Sequence, residues 1–231
     1  MSEPFYQDDY VTLYHGDCLE HPEWWTDADV LVTDPPYGIG WTQPDLPNTQ
    51  AGKRGKLGSL HKNLGIRGDK NTEVRDCALT LWREKPGIVF SAWRELVPGA
   101  RQILTWKKPP TTGVIGATYG YRKDTEAICL LGQLPKRPVQ RSSVLETHGS
   151  NTGYQDGSHP HMKPVALMEM LIEWTEGVVA DPFAGSGSTL VAAKLLGRKA
   201  VGVELEEKYC EIAARRLSQG VLDFGDWKGN A

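Results

Sequence analysis

Residues 178–218 constrain this chain more than any other stretch. Val178–Ala180 reads as a strand, Ser188–Leu196 as a helix, Ala200–Val203 as a strand and Glu206–Ser218 as a second helix. A strand–helix–strand–helix run demands a parallel sheet with right-handed crossovers. Earlier runs of buried-strand length supply more of such a sheet: Asp29–Thr33, Gly87–Ser91, Gln102–Trp106 and Ala127–Leu131. Helical spacing appears at Asn71–Lys85, through Val74, Cys77, Ala78 and Leu81, with Asn71 or Thr72 as N-cap and Pro86 as a stop. It appears again at Pro164–Glu176, through Leu167, Met170, Leu171 and Trp174. The expected fold is α/β, doubly wound, with a mostly parallel sheet. Gly38–Lys70 and Gln133–Ser158 show no periodicity and read as long loops, which in a compact domain tend to be functional or disordered.

Composition narrows the function. The 231 residues fit one large domain or two small ones. No apolar run approaches the ~20 residues of a membrane span, and Met1–Tyr10 is acidic, unlike a secretory signal. The four cysteines lie more than 50 residues apart, so no paired-thiol metal or redox motif is formed. His159 and His161 have no cysteine or carboxylate cluster at ligand spacing, and no metal is expected. The expected setting is cytoplasmic. Charge is segregated: residues 1–52 hold ten acids and no Lys or Arg, whereas all 26 basic residues fall in 53–231. With 19 acids there, that part carries +7, although the whole chain has a net charge of −3.

Two motifs carry chemistry. Asp181-Pro182-Phe183-Ala184-Gly185-Ser186-Gly187 follows a strand and opens a helix, so a ligand can approach the backbone and meet unpaired N–H groups. Glu204 ends the next strand, where a carboxylate suits the two hydroxyls of a ribose. Gly187 is followed by Ser188-Thr189 instead of Lys-Ser/Thr, which excludes a Walker loop. Leu190 stands where a dinucleotide fingerprint wants a third small residue, which disfavours NAD but leaves it open. The second motif, Asp34-Pro35-Pro36-Tyr37, also follows a strand. Asp34 and the Pro35 carbonyl can accept hydrogen bonds from an amino group, and Tyr37 offers a flat face. That set suits a planar aromatic amine such as an extruded base.

Together the two motifs resemble the amino-methylating DNA methyltransferases, which act on adenine N6 or cytosine N4. The matching stretches are LYHGDCLE (13–20), LVTDPPYGIGW (31–41), HPHMKPVALMEMLIEW (159–174) and VVADPFAGSGSTLVAAKLLGRKAVGVELEEKYCEIAARRL (178–217). The tetrapeptide precedes the glycine loop, the order of the family's beta class. The resemblance implies the fold of S-adenosylmethionine-dependent methyltransferases in permuted order, as one domain over 1–231. Its catalytic half would cover about residues 1–132, a short recognition segment 133–158, and a cofactor half 159–220.

The resemblance also implies roles. Asp34, Pro35, Pro36 and Tyr37 would hold the target base for direct in-line transfer after base flipping, without a metal. S-adenosylmethionine would be bound by Phe183, Ala184, Gly185, Ser186, Gly187 and Glu204. Asp17 at its adenine end, Asp181, Asp34 and Lys163 would complete that site. Within the family an Asp-headed tetrapeptide favours adenine, and cytosine N4 is the alternative. Related enzymes acting on RNA or protein usually carry an Asn-headed tetrapeptide after the glycine loop. The implied partner is double-stranded DNA, for a prokaryotic or phage enzyme without a membrane anchor or nuclease domain; a homodimer is compatible. The basic loop within 41–70, through Lys53, Arg54, Lys56, Lys62 and Arg67, reads as a clamp on phosphates.

Overall fold

A computed structural model of the chain describes residues 3–38, 70–109, 120–147 and 162–219. Nine strands form one sheet: β1 (Tyr6–Gln7), β2 (Val11–His15), β3 (Val30–Thr33), β4 (Gly87–Ser91), β5 (Gln102–Lys107), β6 (Thr125–Leu131), β7 (Val144–Glu146), β8 (Val179–Asp181) and β9 (Ala200–Glu204). Among the described residues four α-helices accompany them: α1 (Glu73–Trp82), α2 (Val165–Ile172), α3 (Ser188–Leu195) and α4 (Glu207–Ser218). The strand order is β1-β2-β9-β8-β3-β4-β6-β5-β7. Neighbours from β2 through β4 are parallel, β6 runs antiparallel to both β4 and β5, and β7 lies parallel to β5.

The central strands are apolar throughout because both faces are covered. All four residues of β3 and all five of β4 are buried. Alternation along them feeds two cores. Val30, Val32, Ile88 and Phe90 join Leu167, Leu171, Leu190 and Cys210 from α2, α3 and α4. Leu31 and Val89 join Ala78 and Trp82 of α1, together with Trp25. No helix among the described residues is long and apolar enough to cross a membrane.

Several elements differ from what the periodicity predicts. α1 turns Arg75, Ala78 and Trp82 inward and leaves Cys77 exposed and Leu81 36% exposed. Arg75 can be buried because its guanidinium donates to the Glu95 carbonyl at 2.6 Å and contacts Asp76 at 2.8 Å. Thr72 occupies the N-cap position but caps no backbone N–H; its hydroxyl donates to Asp76 instead. α2 buries Met168 and Ile172 beside Leu167 and Leu171, so its inward face is broader than the expected stripe. β7 falls in a stretch without strand periodicity, and β1 and β2 add two strands at the other edge that the sequence does not announce.

The aromatic core of the α1 face has a specific geometry. Trp25 and Trp82 stack with centroids 5.9 Å apart, and the Trp25 indole N–H donates to the Cys18 carbonyl at 2.9 Å. Trp25 is fully buried, so Trp25→Ala would leave a large cavity and an unpaired carbonyl. Urea unfolding is expected to show a loss of about 3–5 kcal/mol.

Candidate active site

β3 delivers Asp34 to the edge of the sheet, where Pro35 and Pro36 prevent the strand from continuing its hydrogen-bond ladder. Parallel pairing puts the ends of β2, β9, β8 and β3 along that same edge, where open α/β sheets bind ligands. Because β6 runs the other way, its beginning arrives there too, carrying Glu126.

Lys163 and Tyr37 contact Asp34, and Glu126 and Lys108 extend the cluster. Lys163, just before α2, places Nζ 2.6 Å from Asp34 Oδ2, 3.2 Å from Glu126 Oε2 and 3.1 Å from the Tyr37 hydroxyl. Tyr37 donates to Asp34 Oδ1 at 2.7 Å, with Glu126 Oε2 at 3.1 Å. Lys108 follows β5 and stands 2.5 Å from Glu126 Oε1. Two carboxylates thus face two ammonium groups across a neutral phenol. Burial opposes the charge on Lys163, yet Asp34 and Glu126 outweigh it and raise the ammonium above an ordinary lysine. Burial likewise opposes the Glu126 carboxylate, but Lys163 and Lys108 hold it well below the usual range. Burial first, then the charges of Asp34 and Glu126, push the Tyr37 phenol well up, so it stays protonated.

The glycine loop lies beside this cluster. Asp181 ends β8 fully buried, and its Oδ1 accepts the Thr33 hydroxyl at 2.6 Å and the Phe183 N–H at 3.2 Å. Thr33 immediately precedes Asp34, so one hydrogen bond ties the tetrapeptide to the start of the glycine loop. Gly187 caps α3 at φ 81°, and a Cβ there would stand 2.9 Å from Ala213 Cβ. Gly185 also has a positive φ, 52°, but a Cβ on it would find its nearest neighbour 4.0 Å away. The loop is therefore tight against α4 on one side and open on the other.

Glu204 lines that opening. Its Oε2 accepts the Gly185 N–H and its Oε1 the Glu206 N–H, both at 2.8 Å. One bond to each oxygen leaves lone pairs for two hydroxyls. Burial raises this carboxyl against those backbone bonds. Asp17 follows β2, whose His15 pairs with Glu204 in register, and its Oδ1 accepts the Leu19 N–H at 2.8 Å. An open glycine turn flanked by two carboxylates fits a nucleoside cofactor with a free ribose.

The structure brings Asp34, Tyr37 and Lys163 into one cluster, and Asp17, Gly185 and Glu204 onto the neighbouring strand ends. Lys163, expected beside the cofactor, bonds to Asp34, Tyr37 and Glu126. Asp181, also expected there, uses Oδ1 within the protein. Ser186 is buried, and its carbonyl and hydroxyl accept hydrogen bonds from Arg216 of α4. Lys53, Arg54, Lys56, Lys62, Arg67, His159 and His161 lie outside the described residues. Sequence reasoning missed Glu126, Lys108 and the Thr33 link. Glu126 borders a recognisable strand, but only the reversal of β6 directs it to this edge.

Known proteins agree with this architecture. The family model described as DNA methylase, of N6/N4 type, matches residues 105–215. Type II methyltransferase M2.MboI of Moraxella bovis is 38% identical, covering 94% of this chain and 92% of its own. Type II methyltransferase M.HpaI of Haemophilus parainfluenzae is 42% identical, covering 85% and 70%. The fold matches the M1.HpyAVI–SAM complex with a TM-score of 0.64 at 22% identity, covering 90% of this chain and 98% of that one. It also matches the cytosine-N4-specific PvuII DNA methyltransferase with a TM-score of 0.65 at 17% identity, covering 93% and 89%. The fold and the relatives together define an α/β methyltransferase. The chain belongs to the DNA methyltransferases of the N6/N4 family.

Burial pushes the Asp181 carboxyl up to about 6, against the opposing hydrogen bonds from Thr189 and Thr33. A carboxyl raised in the folded state stabilises most below its unfolded value of 3.8, and that contribution is lost as pH rises through about 6. Wild type should therefore lose on the order of 2 kcal/mol relative to Asp181→Asn between about pH 4 and 6. Unfolding curves of both proteins across that window check it.

Proposed function

We propose that this chain methylates the exocyclic N6 amino group of adenine in double-stranded DNA, with S-adenosylmethionine as the donor. The observation that carries this reading is the pairing of β3 with β8, which sets Asp34 beside the glycine loop through the Thr33–Asp181 hydrogen bond. Acceptors for an amino group and a cradle for a nucleoside then stand on adjacent strand ends. M1.HpyAVI, which shares the fold, has been crystallised as a complex with SAM.

S-adenosylmethionine supplies an electrophilic methyl group on a sulfonium. The remaining tasks belong to the protein. An exocyclic amino nitrogen is a poor nucleophile because its lone pair is delocalised into the ring. Hydrogen bonds from that amino group to Asp34 and the Pro35 carbonyl favour a tetrahedral nitrogen with its lone pair aimed at the methyl. Positive charge then develops on nitrogen next to the Asp34 carboxylate, which stabilises it. Tyr37 stacks on the base, and base flipping gives it access at a cost of a few kcal/mol. Glu204 takes the ribose hydroxyls, while Phe183, Ala184, Gly185, Ser186 and Gly187 line the methionine side and Asp17 the adenine end. The Asp at the head of the tetrapeptide favours adenine over cytosine.

Radiolabelled methyl transfer from S-adenosylmethionine to DNA, followed by nucleoside analysis, tests the reading. N6-methyladenine is expected; N4-methylcytosine would transfer the same mechanism to cytosine, and no labelled base would overturn it. Asp34→Ala should abolish transfer while calorimetry shows S-adenosylmethionine binding largely intact. Transfer within about tenfold of wild type would remove Asp34 from the target amine.

The basic loop is assigned to DNA phosphates. Replacing Lys53, Arg54 and Lys56 with Ala should lower the salt slope of DNA binding by about 0.9 for each phosphate no longer neutralised. An unchanged slope would leave the loop without that role.

A further inference from the structure

One carboxylate of the catalytic cluster has no task in the transfer described above. Glu126 has a side chain only 15% exposed, and it is held from both sides by Lys108 and Lys163. Its Oε2 also stands 3.1 Å from the Tyr37 hydroxyl. That hydroxyl has one proton and two carboxylates in reach, and the shorter contact, 2.7 Å, goes to Asp34 Oδ1.

Asp34 is consequently engaged on both oxygens, by Tyr37 on Oδ1 and by Lys163 on Oδ2. Each oxygen keeps a second lone pair, but an oxygen that already accepts the Tyr37 hydroxyl or the Lys163 ammonium is a weaker acceptor for a target amino group. Lys163 is the less exchangeable donor, since it is buried and bridges two carboxylates. The phenol is neutral, and rotation about its C–O bond redirects the proton without moving a heavy atom. Glu126 Oε2 is already placed to receive it.

We propose that Glu126 is a positioning residue that accepts the Tyr37 hydroxyl when a target amino group engages Asp34, leaving the full acceptor strength of Asp34 Oδ1 to that group. The inference rests on the assignment of Asp34 to the amino group. No O–H bond breaks; only the direction of donation changes. Lys163 stays between the two carboxylates throughout, and Lys108 keeps Glu126 charged and in place.

The test is a double-mutant cycle on methyl transfer. Glu126→Gln keeps the size of the side chain but can turn an N–H toward Tyr37 where an acceptor is needed. It should lower kcat about 10- to 100-fold with the KM for DNA unchanged. In Tyr37→Phe there is no hydroxyl to redirect, so adding Glu126→Gln should lower kcat no further. Glu126→Asp keeps the charge that both lysines require and draws the acceptor back by one methylene. It provides the same cycle if Glu126→Gln fails to fold, as judged by its melting temperature and S-adenosylmethionine binding.

Losses that multiply in the double variant, or a Glu126 variant with wild-type kcat, would overturn the exchange while leaving the proposed function standing. A wild-type chain that methylates no amino group in DNA would overturn both.

Discussion

The parallel pairing of β3 with β8 is the constraint on which the site depends. Each strand ends in a loop to which the proposed reaction gives a separate task, and the pairing sets those loops side by side. Backbone pairing brings the strands side by side; the Thr33–Asp181 hydrogen bond then fixes the two exits relative to each other. Its cost is a carboxyl held in an apolar interior. Three short-range donors, from Thr33, Phe183 and Thr189, offset that cost only in part, since the carboxyl remains raised.

A second constraint is balance of charge. The space between β3, β6 and α2 contains two carboxylates and two ammonium groups, and an unpaired charge there would be costly.

Much of this is legible in the amino acids alone, for identifiable reasons. The strand–helix–strand–helix run dictates the parallel half of the sheet, because short apolar runs alternating with amphipathic ones admit few other arrangements. Asp34 and the glycine loop stand out because Pro-Pro and Gly-Ser-Gly are backbone signals, readable without neighbours. Glu126 and Lys108 stay hidden because their significance comes from a strand reversal, and an isolated polar residue beside a strand does not announce its direction. The inward face of α1 is obscure for a related reason: Arg75 looks like a surface residue until Glu95 and Asp76 are seen beside it. Lys163 is conspicuous in its motif, but whether it faces the cofactor or the target amine depends on how α2 docks.

The register of β2 with β9 has a consequence for how the molecule forms. Val11 pairs with Ala200 and His15 with Glu204, so strands from opposite ends of the described chain lie side by side. Closing a loop of that length precedes any gain from the pairings it permits, which makes such pairings late events in folding. The turn after β2, where the Gly16 N–H donates to the Glu204 carbonyl at 2.9 Å, is tied down only when β9 has been synthesised and docked. During synthesis β3 and Asp34 emerge long before β9, the strand that carries Glu204. Asp34 and Glu204 share one end of the sheet only once β9 has joined it.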